Sequence, residues 1–215
     1  MMKNLIFDFD GTLADTWPLI EAVMMRLIQE MNLPSRTVDE IKTTIGLKLE
    51  EAPLILWPDK HDIKDQFVTT YRRIFEEIKD KVDIGLFPGV KETLETLKNS
   101  GHRMAIATSR TTQSAEELTR RLGIRDYFDC VLGADKVVNG KPHPETVEKI
   151  LAEMGWHPGE SIMVGDMGVD IKMGRSAGLS TCGVTFGNGK IEDLEAAGAD
   201  LIIDEFDRLI LVHSS

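Results

Sequence analysis

Two aspartates two positions apart, Asp8 and Asp10, end the apolar run Leu5-Ile6-Phe7 and are followed by Gly11 and Thr12. Carboxylates this close repel each other unless a cation or a shared proton relieves them. An oxygen-loving divalent metal is the natural partner, and Mg2+ suits carboxylates that also face a phosphate. The pattern returns where Ile162-Met163-Val164 runs into Gly165 and Asp166, with Asp170 four residues on. Alone, Asp166 and Asp170 would merely favour a helix N-terminus; beside Asp8 and Asp10 they complete a four-acid set. Ala105-Ile106-Ala107 leads into Thr108 and Ser109, whose hydroxyl and backbone N–H groups can hold phosphoryl oxygens. The plainer reading of Thr108 is a helix N-cap. Lys141 lies in Gly140-Lys141-Pro142-His143-Pro144, a loop stiffened by two prolines, and reads as the counter-charge to the acids.

The acids, hydroxyls and lysine must be brought together by the elements that carry them. Leu5–Phe7, Met104–Ala107, Val131–Leu132, Ile162–Val164, Thr181–Val184 and Leu201–Ile203 are apolar on consecutive positions, as buried parallel strands are. Between them lie helical periodicities: Val90, Leu94 and Leu97; Leu118 and Leu122; Val147, Ile150, Leu151 and Met154. This alternation predicts an α/β fold, a Rossmann-like parallel sheet with helices on both faces. Ligands in such sheets bind at the carboxyl ends of strands, where the acids stand. From about Thr16 to Asp83 the strand signal is absent, over a length too great for one crossover helix. Ile20, Met24, Leu27 and Met31 share a helical face there, as do Phe67, Tyr71, Ile74 and Ile78, with Pro34, Pro53 and Pro58 as breaks. The expectation is a core of residues 1–15 and 84–215 with an inserted helical cap, 16–83, hinged near Asp15–Pro18 and Asp83–Pro88. Extra helices packed on the sheet are the simpler alternative.

Composition bounds the partners. Of 215 residues 42% are hydrophobic and 28% charged, enough for a sizeable core. The net charge of −11, with no basic block, argues against nucleic acid and anionic membrane surfaces. An anionic substrate therefore needs local positive charge from a metal or a lysine. The N-terminal apolar run is too short for a leader, and no stretch approaches the ~18 apolar residues of a membrane span. Cys130 and Cys182 form no C-x-x-C pair, so a reduced, cytoplasmic protein is expected, working as a monomer or homodimer.

Asp8-x-Asp10-Gly-Thr, Thr108, Lys141 and Gly-Asp166-x-x-x-Asp170, in this order, resemble the four motifs of the haloacid dehalogenase superfamily. The resemblance covers essentially the whole chain; the tail from Gly183 to Asp200 is similar to phosphoglycolate-phosphatase-like members. It implies a Mg2+-dependent phosphatase acting on a small phosphorylated metabolite, with phosphoglycolate the leading substrate. Asp8 would be the nucleophile, and Asp10 the acid for the leaving oxygen and then the base for water. The metal would lie between Asp8, the backbone carbonyl of Asp10 and Asp166, with Asp170 binding directly or through water. Thr108 and Lys141, helped by Ser109, would hold phosphoryl oxygens.

Asp10 speaks against dehalogenation, which needs no acid for the leaving halide. Ser109 stands where many relatives carry asparagine, and Met167 where many carry serine. Ile45–Glu51 resembles a cap specificity loop, so Lys48 either meets an acidic group of the substrate or is an exposed lysine. Trp17 either lines the pocket or packs the cap, and His143 and His157 read as structural. A phosphomutase of the β-phosphoglucomutase type would carry arginine in the cap loop, where Leu47-Lys48-Leu49 stands. A pyrophosphatase fits the same site, and a non-catalytic binding protein would have lost Asp8 or Asp10.

Overall fold

Leu5, Ile6 and Phe7 are all fully buried, because strand β1 (Asn4–Phe7) has a partner on each edge and a core on each face. The computed structural model describes residues 3–60 and 62–212; Met1 and Met2, which head the N-terminal apolar run, lie outside the described residues. After β1 come β2 (Ala14–Asp15), helices α1 (Trp17–Glu30), α2 (Val38–Lys42), α3 (Ala52–Leu56) and α4 (Lys64–Ile78), and β3 (Gly85–Leu86). The chain then alternates: α5 (Val90–Asn99), β4 (Arg103–Thr108), α6 (Thr112–Arg121), β5 (Cys130–Gly133), α7 (Glu145–Met154) and β6 (Ser161–Gly165). It ends with α8 (Gly168–Ser176), β7 (Ser180–Val184), α9 (Ile191–Ala196), β8 (Leu201–Ile203) and α10 (Leu209–Val212).

Among the described residues, six strands form one parallel sheet in the order β5-β4-β1-β6-β7-β8. Phe7 is aligned with Ile106 of β4 and Val164 of β6, so Asp8, Thr108 and Asp166 all emerge at one carboxyl edge. Strand order reverses between β1 and β6, the switch point where open parallel sheets bind ligands. Side chains alternate across the sheet: Leu5 and Phe7 join one hydrophobic core, Ile6 the other. Phe7 also stacks on Phe206, with ring centroids 5.8 Å apart. This is the α/β architecture the alternation of apolar runs predicts.

Helices α1–α4 occupy the gap between β2 and β3, and those two short strands pair antiparallel at its base. Leu19, Ile20, Val23, Met24 and Leu27 of α1 are buried, as are Phe67, Val68, Ile74 and Phe75 of α4. Arg26 bridges from α1 to Glu77 of α4 at 2.6 Å, and Arg73 pairs with Glu30 in the other direction. Such exposed pairs fix register more than they add stability. Thr37 caps α2 in a reciprocal box with Glu40. Among the described residues no helix is long and apolar enough to cross a membrane.

Candidate active site

β1 delivers Asp8 to the edge, and its N–H donates to the Val164 carbonyl at 2.9 Å. The chain then turns tightly through Gly11, whose φ of +83° suits glycine. A Cβ there would lie 2.2 Å from Asp166 Oδ2, so the turn can press against the second acidic strand end only without a side chain. Gly165 plays the matching part on β6: a Cβ would come within 2.3 Å of the Asp170 Cβ. Asp166 is held from two sides, with Thr12 Oγ1 donating to Oδ1 at 3.0 Å and the Asn188 N–H to Oδ2 at 2.7 Å. Asp170, in the first turn of α8, accepts the Met167 N–H on Oδ2 at 3.0 Å, so it also does the capping expected of an acid there.

Asp8, Asp166 and Asp170 thus converge, with one carboxylate oxygen from each inside a 4.8 Å cluster. All three are buried, and so is Lys141, whose Nζ lies 2.5 Å from Asp8 Oδ1 and 2.7 Å from Asp170 Oδ1. Burial pushes the Asp8 carboxyl well above the usual range; Lys141 opposes that, while Asp170, Asp166 and Asp10 add to it. Asp166 is pushed up to about 7, by burial first and then by Asp170, against the pull of Asn188 and Thr12. For Lys141, burial alone would lower the pKa, but Asp170 and Asp8 outweigh it and raise it. Three buried carboxylates facing one ammonium leave a surplus of negative charge, and Asp8 Oδ2 is buried with no hydrogen-bond partner. An all-oxygen donor set with an orphaned oxygen fits a hard divalent cation such as Mg2+.

The Asp10 side chain stands outside this cluster. Arg110 clamps it, Nη2 donating to Oδ1 at 2.6 Å and Nε to Oδ2 at 2.8 Å, and the Thr16 hydroxyl donates to Oδ1. Thr108 is buried at the end of β4, and its Oγ1 accepts the Arg110 N–H at 3.1 Å. The cap of α6 is Thr111, which accepts the Ser114 N–H, so the N-cap reading of Thr108 does not hold. Ser109 Oγ donates to the Gly46 carbonyl at 2.6 Å, tying β4 to the loop after α2. Lys48 is half-buried, its Nζ donating to the carbonyls of Val137 and Val138 at 3.0 and 2.7 Å. Trp17 lies under Lys42, 4.9 Å from ring centroid to Nζ, and is not among the cavity-lining residues. His143 Nδ1 accepts the Glu145 N–H at 3.2 Å, which shapes the Lys141 loop.

A cavity of about 780 Å³ lies between the inserted helices and the sheet edge, lined among others by Asp10, Tyr71, Phe75, Ser109 and Arg110. That is room for a small metabolite. Thr12 belongs to the motif that follows β1, whereas Arg110, Thr16 and Asn188 are not singled out by the sequence. Arg110 had a signal, a cation directly after the hydroxyl pair at a strand end; Asn188 had none, being 22 residues from the carboxylate it serves.

Residues 5–184 match the family model for haloacid dehalogenase-like hydrolases. The chain is 35% identical to the protein named probable phosphatase IndB of Dickeya dadantii strain 3937, over 98% of this chain and 93% of that one. It is 33% identical to a phosphoglycolate phosphatase of Pectobacterium atrosepticum, over 100% of this chain and 94% of that one. A solved haloacid dehalogenase-like family hydrolase from Streptococcus pneumoniae superposes with a TM-score of 0.88 at 25% identity, covering 100% of this chain and 99% of that one. The acids at the ends of β1 and β6, the hydroxyl at the end of β4 and the buried lysine occur in a chain of matching sequence and fold, and it belongs to the haloacid dehalogenase-like hydrolases.

Proposed function

We propose that this chain is a Mg2+-dependent phosphatase of small phosphate monoesters, working through an aspartyl-phosphate on Asp8, with phosphoglycolate the first substrate to try. The observation that carries this reading is Asp8 itself, ion-paired to Lys141 and packed against Asp166 and Asp170, with a second acid, Asp10, two residues on at the cavity. Asp8, Asp166, Asp170 and the backbone carbonyl of Asp10 would hold the metal, which when bound neutralises charge on the carboxylates and the phosphoryl oxygens. Lys141 and Thr108 bind phosphoryl oxygens, and Lys141 keeps Asp8 in line for attack. A carboxylate oxygen of Asp8 forms the new bond to phosphorus as the ester P–O bond breaks, and Asp10 gives the departing oxygen its proton. Asp10, now a base, takes a proton from the water that cleaves the acyl-phosphate and restores Asp8. Residues 16–83 would act as a cap that shields the site from bulk water, and the buried free thiols of Cys130 and Cys182 suit a reducing cytoplasm.

The test is phosphate release from phosphoglycolate, pyrophosphate and β-glucose-1-phosphate, with Mg2+ or with EDTA. Turnover that needs Mg2+ and falls by roughly 10³-fold or more in Asp8→Asn supports the reading. Full activity in chelator would remove the metal from it, and retained turnover in Asp8→Asn would remove the covalent route. Selective turnover of β-glucose-1-phosphate into its 6-phosphate would make the chain a mutase instead.

A further inference from the structure

The cations that line the cavity are not equivalent. Lys64 is exposed at the start of α4, Lys48 is engaged by two backbone carbonyls and Arg72 by Glu50 at 3.2 Å. Arg110 is engaged by Asp10, the proposed general acid, through the bidentate contact described above. Its side chain is only 11% exposed, with the guanidinium carbon 5.3 Å from the centre of the Phe75 ring and 5.9 Å from that of Phe9. One of those rings comes from α4 and the other from the loop after β1, so the cation is held where cavity and sheet edge meet. Burial alone would lower its pKa, but the Asp10 carboxylate outweighs it and the guanidinium stays charged. A planar fork in an apolar slot is the geometry that receives a carboxylate or phosphate through two parallel hydrogen bonds.

Every hydrogen bond the structure gives the Asp10 carboxylate is one it accepts, from Arg110 and from Thr16. In that arrangement the carboxylate is held away from the Asp8 cluster by the fork. Asp10 serves the leaving-group side of phosphorus in the proposed reaction, so an anion carried on the leaving group comes within reach of the same fork. We propose that Arg110 is the specificity-determining residue of this enzyme, binding a second anionic group, carboxylate or phosphate, on the leaving group of the substrate in exchange for Asp10. The exchange releases the Asp10 carboxylate from the fork, so that binding of the second anion and the access of Asp10 to the ester oxygen are coupled. The inference rests on the phosphatase reading and narrows its substrates to those with a second anion close to the phosphoester.

The test compares kcat/KM for phosphoglycolate and pyrophosphate with that for 2-hydroxyethyl phosphate, which keeps the ester and lacks the second anion. Wild type should prefer an anionic substrate by about 10- to 100-fold, the factor that one or two charge-assisted hydrogen bonds carry. Arg110→Gln should bring the ratio close to one, with KM and kcat both affected, and Arg110→Lys should keep part of it. Whichever anionic substrate shows the preference identifies the group as carboxylate or phosphate. Equal loss on all three substrates in Arg110→Gln would overturn the proposal, since it would mean that Arg110 only positions Asp10. Wild-type turnover of all three without preference would overturn it while leaving the phosphatase reading intact; no turnover of any would end both. Should Arg110→Gln melt at a lower temperature, the wild-type ratio and Arg110→Lys still decide.

Discussion

Asp8 has a charge that burial opposes and that Lys141, 2.5 Å away, relieves. Its neighbours Asp166 and Asp170 worsen the position, so the chemistry that suits the trio to a cation also makes it a burden on the metal-free fold. Asp170→Asn should therefore leave the melting temperature in EDTA unchanged or raised. The same substitution should shrink the rise produced by Mg2+, which for wild type at a hundredfold excess over Kd amounts to about 2.7 kcal/mol. Thermal melts of both proteins with and without Mg2+ measure it. An equal Mg2+ response in the two would take Asp170 out of the metal site.

Elements decide how closely these residues approach. Gly165 closes β6 against Asp170 with no room for a methyl group, so Gly165→Ala should push α8 away from the strand end. The expected loss is about 1–3 kcal/mol in stability, read by urea denaturation, with a larger drop in kcat. The Lys141 loop is held differently, by Glu145 accepting the N–H groups of Val138 and Asn139 at 3.0 and 2.8 Å. These bonds lower the Glu145 carboxyl to about 2. A carboxyl lowered on folding stabilises fully above its unfolded pKa, and that contribution fades as pH falls toward the folded value. Glu145→Gln should thus melt below wild type at pH 7, and the difference should narrow as pH drops from about 4.5 toward about 2. The six sheet strands were legible because buried parallel strands are apolar on consecutive residues. β2 and β3 were not, since two-residue strands carry no period, although the proposed hinges fall beside them. Asp8 and Asp166 were legible because each directly follows a strand, whereas the pairing of Arg110 with Asp10 spans a hundred residues, and that partner leaves no local trace.

Across the molecule, the inserted helices meet the sheet edge through few polar contacts, and two are placed to report on closure. Lys48 reaches the carbonyls just before the Lys141 loop, and Ser109 reaches the Gly46 carbonyl from the end of β4. Lys48→Met should loosen this closed arrangement and raise KM about tenfold, the loss of roughly one charge-assisted hydrogen bond. Limited proteolysis within residues 79–84 should quicken in the same variant. An unchanged KM and cleavage rate would mean that the contact is incidental. The run of helices between β2 and β3 was visible in the sequence as a gap in the strand rhythm, but which of its residues touch the sheet is a tertiary matter that no helical period encodes.

The place of β1 in the middle of the sheet has a consequence for how the chain is made. Asp8 is made long before the strands that flank it, since β4 and β6 begin at Arg103 and Ser161. At ordinary elongation rates of about 5–20 residues per second, Asp8 waits roughly 8–30 s for its second neighbour. Through that interval the acids are strangers on an open chain, without the lysine, the hydroxyl or the pocket that would make them reactive. On the proposed mechanism, a nascent chain cut short before Asp170 lacks one of the three clustered acids, and the site can assemble only after that residue has emerged.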